Sequence, residues 1–570
     1  MAEPLHVLNQ VAPREYVNFT LCFPFNDDMA QEAVTHLQQC VDECLQQNPH
    51  LAGAIQEQDT PQRNTLAYTP QPTRVTIEQL WPSCFVSSDG SKRALTYDDI
   101  RAGGFSPGLF WGEIFAPVGN PAVVKNNLVP VLIVRTIFVK GGLLLGVFIH
   151  HAMSDGLVAT ALINDLAARS RGEDGESIPN GGFLPSRQEL PLGRPSAEFE
   201  VRVRDLRETR GFSSEETMAA LLPEWTTATT APDREVNFSI KNPLPANQSP
   251  RVGKIFHISK TELQRLSQSL AGSGSKPSTN VALMALFWAY VAKARMRAVG
   301  VEDWSALQSA RKKEKRVISN GNGNNHDNYM AAQAIVVAAW KPSSKSSLER
   351  KDTGANGRGG GFGPETLDAI DHFCGNMAKT PIATLPSTQL LWQAAGSSAQ
   401  EEESIGTQAK QEEALAEIAA IITRSLDTLD AEFVRQRAAM LESLADVTVM
   451  VMDHDFEAPQ NVLFNSHRFL AGADTVWDIP GLLAEANSGA AGAGSNGHSN
   501  GNGDSGGSSR RRKPEVIRKG RKVWGQGTVL VMPSSRDSDV LEVMLAMSGT
   551  AMGELCRDEG WMGWVERVVD

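Results

Sequence analysis

The sequence predicts an α/β protein built in two halves. Three observations carry that prediction. Two apolar runs, 131–139 and 143–149, meet through Lys140-Gly141-Gly142 and lead, after a short polar turn, into a helical stripe. A polar, proline-rich stretch over 183–250 then divides the chain. Beyond it, helical and strand-like patterns resume. The expected organisation is an N-terminal half over 1–182, a crossover over 183–250 and a C-terminal half over 251–570.

The elements follow in order. Val34, Leu37, Val41 and Leu45 recur at helical spacing until Asn48-Pro49 stops them. The runs 131–139 and 143–149 carry few alternating polar residues, so they read as a hairpin of largely buried strands. Leu157, Ala161, Leu162 and Leu166 form one face of the helix that follows, with His150 to Gly156 as the intervening turn. In the second half, helices are expected at 260–270 and 281–294. Strands are expected around 522–532 and 540–547, with a last helix near 552–561. The stretches 319–328, 343–363 and above all 487–509 are too poor in apolar residues to offset the cost of ordering, and read as weakly structured.

Composition excludes several functions. At roughly 150 residues per domain, 570 residues suggest three or four units, although large α/β enzymes often use two. A formal charge of −12 argues against a nucleic-acid binder that works through overall basicity. The 6 cysteines lack CxxC spacing and read as reduced thiols of a cytoplasmic protein. MAEPLHVLNQ has no positive region followed by an apolar one, so no secretory signal is expected. No apolar run approaches the roughly 20 residues that span a bilayer.

The residues that carry chemistry are His150-His151-Ala152-Met153-Ser154-Asp155-Gly156. An imidazole just past a buried strand is well placed to take a proton near neutral pH, an effect worth about 10²–10⁴-fold in rate. His151 facing a cavity would deprotonate a substrate hydroxyl. Asp155 can cap the next helix, and Gly156 permits a backbone other residues resist. The bland alternative is two loop histidines beside a capping aspartate. A metal site is not expected, because there is no HExxH and adjacent histidines seldom share one ion.

This HHxxxDG string resembles the signature of the BAHD-type acyltransferases, within the chloramphenicol-acetyltransferase-like superfamily. A second family signature, DFGWGxP, has two candidate counterparts: Asp474-Thr475-Val476-Trp477-Asp478-Ile479-Pro480, which keeps Asp474, Trp477 and Pro480, and Lys513-Pro514-Glu515-Val516. Weaker echoes occur at Asn48–Gly53, at Ser278-Thr279-Asn280 and at Phe373–Asn376. The nearest flavour is fungal, similar to trichothecene O-acetyltransferases.

That resemblance implies two chloramphenicol-acetyltransferase-like domains with mixed sheets flanked by helices and an active-site tunnel between them, in a monomer. It implies His151 as general base, Asp155 as a structural partner, and His150, Gly156, Asp474 and Pro480 as architecture. The implied activity is transfer of an acyl group, most simply acetyl, from acyl-CoA as co-substrate to a hydroxyl of a fungal secondary metabolite such as a mycotoxin, with no permanent cofactor. An amine acceptor, or a silent relative that only binds, are the alternatives. Candidates for CoA contact are Arg518, Lys519 and Trp477, the first two within a cationic block at 510–522. Gly503-Asp504-Ser505-Gly506 spells a nucleophile motif but lacks a supporting strand, and the basic run 311–316 reads as a solvated face.

Overall fold

The computed structural model describes residues 2–570 apart from 117–126, 176–191, 228–250, 302–331, 340–377, 397–404, 484–510 and several stretches of four residues or fewer. The readings of 319–328, 343–363, 487–509, 311–316, Phe373–Asn376 and the Ser505 motif lie outside the described residues. Two mixed sheets organise the rest. The first runs Val516–Arg518, Tyr16–Pro24, Gly142–His150, Leu132–Val139, Glu78–Leu80. The pairing of Glu78–Leu80 is parallel and the others are antiparallel.

The expected hairpin forms the centre of this sheet, and every residue of its two strands is buried. Gly141 supplies the left-handed turn residue at φ +82°, and Gly142 packs where a Cβ would stand 2.1 Å from the Tyr97 ring. The helices Ala30–Gln47 and Gly156–Ser170 lay Leu37, Val41, Leu162 and Leu166 against Phe19, Leu21 and Phe23 on one face. Burying each such side chain contributes roughly 1.5–3 kcal/mol. Tyr97, Phe85 and Phe110 cover the other face over Cys22, Ile137 and Leu144.

The second sheet has seven strands, in the order Ile382–Leu385, Ala332–Val336, Val462–Ser466, Thr528–Val531, Val540–Ser548, Arg251–Ser259, Val565–Val569. The helix Thr279–Ala298, buried continuously from Val281 to Met296, is its central support. A helix apolar all round must be enclosed, and here it is. Trp288 Nε1 donates to the Gln460 carbonyl at 3.0 Å.

The structure departs from the expected elements in three places. The last helix is two, Gly549–Arg557 and Glu559–Met562, because Asp558 caps a new start by accepting from the Trp561 N–H. A closing strand, Val565–Val569, follows it. The proline-rich stretch holds helices Ala197–Arg204 and Ser214–Leu221, whose Phe199 and Met218 pack on Met440 and Leu441. The short strand Val516–Arg518, late in the chain, joins the first sheet, with Arg518 opposite Thr20.

Candidate active site

The buried strand Gly142–His150 delivers the motif. Its register ends with His150 opposite Tyr16, and the chain is then tied down by two backbone bonds: His150 N–H to Val131 carbonyl and His151 N–H to Glu15 carbonyl, both 2.8 Å. A single 3₁₀ turn, His151–Met153, carries the chain round to Asp155. The Asp155 Oδ1 accepts from the Leu157 and Val158 N–H groups at 2.9 and 3.1 Å, which starts the helix Gly156–Ser170. Gly156 faces Leu470, whose Cδ1 would lie 2.3 Å from an added Cβ. Asp155 and Gly156 thus occupy structural positions.

The two histidines have different surroundings. His150 is fully buried, its Nδ1 accepts from the Ala152 N–H at 3.2 Å, and its ring meets Tyr16 edge-on. Burial, aided by the charges of His151 and Arg14, pushes its pKa down to about 3. His151 is partly exposed. Burial of its ring also lowers its pKa from 6.5; Glu15 opposes the shift and Lys519 adds to it. A neutral imidazole is the form a general base requires.

Glu15 and Lys519 are therefore the charged groups that bear on His151 besides Asp155. Glu15 gave no signal in the sequence. Lys519 was singled out as a phosphate contact; it is buried and follows directly on the crossing strand, where Asn18 donates to the Gly520 carbonyl at 3.0 Å. Only strand pairing between residues so far apart in the chain brings it here.

The other candidates are placed differently. Arg518 is buried, and its guanidinium donates to Glu542 at 2.6 Å and to the Phe105 and Gly104 carbonyls at 2.8 and 3.3 Å. Its charge is neutralised inside the protein, so the expected phosphate contact is corrected to an internal strut. Trp477 is fully buried against Phe23 and cannot reach a ligand in solution. The two counterparts of the second signature are neighbours: Trp477–Asp478 pairs with Arg511–Arg512, and Lys513 reaches Asp474 at 3.3 Å. The two candidate counterparts, far apart along the chain, thus lie side by side in the fold. Asp474 also accepts from Ser535 Oγ at 2.6 Å and the Arg536 N–H at 3.0 Å, bonds that hold its pKa below the usual carboxylate value. Pro480 precedes Gly481, which needs φ +93° and whose carbonyl accepts from the Asn26 N–H.

Among the described residues no cluster of three or more His, Cys, Asp or Glu is placed to hold a metal ion, and no helix is long and apolar enough to cross a membrane.

The model of a trichothecene 3-O-acetyltransferase-like N-terminal domain matches residues 16–169. Acyltransferase BOA11 of Botryotinia fuckeliana is 23% identical over 297 residues, 51% of this chain and 60% of that protein. The eremophilane O-acetyltransferase ORF8 of Penicillium roqueforti is 23% identical over 315 residues, 50% of this chain and 60% of that protein. This chain thus spans less than two thirds of the length of these curated relatives. The crystal structure of F. graminearum TRI101 complexed with Coenzyme A and T-2 mycotoxin matches over 100% of both chains with a TM-score of 0.64 and 15% identity. At that identity the likeness is one of fold, and it is the fold the HHxxxDG resemblance implied.

Proposed function

We propose, from a chain that matches the trichothecene 3-O-acetyltransferase-like domain over residues 16–169 and shares the fold of TRI101, that this protein transfers an acyl group from acyl-CoA to a small-molecule acceptor. The finer reading is O-acetylation of a hydroxyl on a fungal secondary metabolite, which the printed names of the relatives support. The halves 1–182 and 251–570 would each build most of one sheet, with Val516–Arg518 of the second half added to the first, and be joined through 183–250.

One observation supports the reading most: His151 is the partly exposed member of a rigidly anchored pair, kept neutral by its surroundings, while Asp155 is engaged with the helix start. His151 removes the acceptor proton as the oxygen forms its bond to the thioester carbonyl. Collapse of the tetrahedral adduct breaks the carbon–sulfur bond, and His151 returns the proton to the CoA thiolate. No acyl-enzyme is needed, since holding both reactants in line lowers the barrier. Lys519 is placed to favour the neutral imidazole.

The test is incubation with acetyl-CoA and a panel of terpenoid and alkaloid alcohols and amines, with products identified by mass spectrometry, for wild type and His151→Ala. Ester formation that collapses in the variant is expected. Turnover unaffected by His151→Ala would remove the mechanism, and amide products alone would favour the amine alternative.

A further inference from the structure

His151 has a neighbour that the HxxxD spacing does not announce. Its N–H donates to the Glu15 carbonyl at 2.8 Å, a bond that carries the antiparallel register one pair past His150 and Tyr16. Residues opposite one another in such a pair send their side chains out on the same face, with Cβ atoms about 4.5–5.5 Å apart. The Glu15 carboxylate therefore leaves the sheet beside the His151 imidazole. It is half-buried, and no hydrogen bond or ion pair engages it among the described residues.

The other charges around the ring are committed elsewhere or act against its protonation. Asp155 Oδ1 accepts from the Leu157 and Val158 N–H groups at 2.9 and 3.1 Å, and Asp155 bears on the ring less than Glu15 does. Arg14, next to Glu15 in the chain, is buried in an ion pair with Glu57 at 2.6 Å and donates to the Asn64 carbonyl at 2.7 Å, so it does not neutralise Glu15. His150, its pKa pushed down to about 3, is uncharged. Lys519 is the cation that opposes Glu15 at the ring.

A ring that takes the acceptor's proton becomes a cation where burial already disfavours charge, which is costly unless an opposite charge stands near. We infer that Glu15 is that charge, a positioning residue whose carboxylate balances the imidazolium formed at His151, through space and across two strands. The inference rests on the acyl-transfer reading above, since the proton concerned is the one removed from the acceptor and returned to the CoA thiolate. Lys519 keeps the resting ring neutral, Glu15 lowers the cost of protonating it, and the strength of the base is set between the two.

The test uses the full chain as wild type, Glu15→Gln and Glu15→Asp. Gln preserves the backbone tie to His151, so thermal unfolding should be unchanged. Two quantities are then measured: the acid limb of kcat/KM, and the titration of the ring itself by NMR on isotope-labelled histidine, with the His151 signal identified by its loss in His151→Ala. Glu15→Gln is expected to move both toward acid by about half a pH unit or more and to lower kcat about threefold or more, with KM little changed. Glu15→Asp keeps the charge and should retain most of the wild-type profile. An acid limb and a ring titration that stay in place in Glu15→Gln, with wild type turning over normally, would overturn the role of Glu15 and leave the acyl-transfer reading standing. Equal changes in the Gln and Asp variants would assign the effect to side-chain length rather than charge and overturn it as well. A shifted ring titration in a protein that transfers no acyl group would overturn the acyl-transfer reading while the charge pairing held.

Discussion

Replacing Arg518 by Met tests whether this buried cation is a strut or a phosphate contact. In the structure its Nη1 donates to Glu542 at 2.6 Å, and its other donors meet backbone carbonyls and, at 3.3 Å, the second Glu542 oxygen. Met keeps the length of the side chain but leaves Glu542 without its cation. Breaking a buried pair from one side typically costs 3–5 kcal/mol. Glu542 keeps about a fifth of its side-chain surface accessible, so the lower end, about 3 kcal/mol, is expected. The pH dependence has a definite sign. Burial alone would raise the Glu542 pKa, but Arg518 and then His257 bring it below its ordinary 4.5. In wild type that carboxylate stabilises the fold above pH 4.5, and the contribution is lost as pH falls through the lower folded value. In the variant the carboxylate keeps His257 and Arg567 nearby but loses its strongest partner and takes a proton more readily, so the penalty is largest near neutrality and shrinks in acid. Urea unfolding followed by tryptophan fluorescence at several pH values measures this, beside the KM for acyl-CoA. A stability loss below about 0.5 kcal/mol together with a raised KM would refute the strut and restore the phosphate contact.

Three further outcomes are expected. The acid limb of kcat/KM should fall below pH 6.5, because burial lowers the His151 pKa and keeps the base form neutral further into acid; Lys519→Met should move that limb upward, and a limb unmoved by it would separate Lys519 from the base. Asp155→Ala should cost about 1–2 kcal/mol through loss of the helix cap, while Asp155→Asn, which keeps an accepting oxygen, should lose much less; equal losses in thermal unfolding would contradict capping as its role. Gly520→Ala would set a Cβ 2.2 Å from the Phe115 carbonyl oxygen, a backbone atom that cannot rotate away, and should destabilise by about 1–3 kcal/mol; an unchanged urea midpoint would show that the contact yields freely.

Much of the fold was legible because its signals are local. The apolar runs around Lys140-Gly141-Gly142 state their own hairpin, and the apolar content of 281–294 already marks a helix that had to be enclosed. The HHxxxDG string marked a candidate site for the same reason, since strand end, turn and cap are contiguous. Long-range pairing was not legible. Lys519 stands beside His151 only because its strand adds to Tyr16–Pro24, and a charge run in the sequence looks alike whether it ends in solvent, as Arg511 does, or in a buried ion pair, as Arg518 does. Trp477 was ambiguous on the same ground: a tryptophan in a degenerate motif does not say whether it faces a ligand or Phe23. The two candidate counterparts of the second signature lie far apart along the chain, and only the fold shows that a two-residue ladder brings their segments together.

The placement of Val516–Arg518 against Tyr16–Pro24 has a consequence for biosynthesis. As the nascent chain leaves the ribosome, the first sheet emerges early with the N–H and C=O groups of Thr20 to Cys22 still lacking their neighbour. Closing that edge must wait until residues 516–518 have been made. Until then the early strand presents an open hydrogen-bonding border, the kind of surface that chaperones shield and that recruits stray chains. Expression in fragments ending before this segment should accumulate as inclusion bodies, and co-expression of the missing portion should rescue solubility.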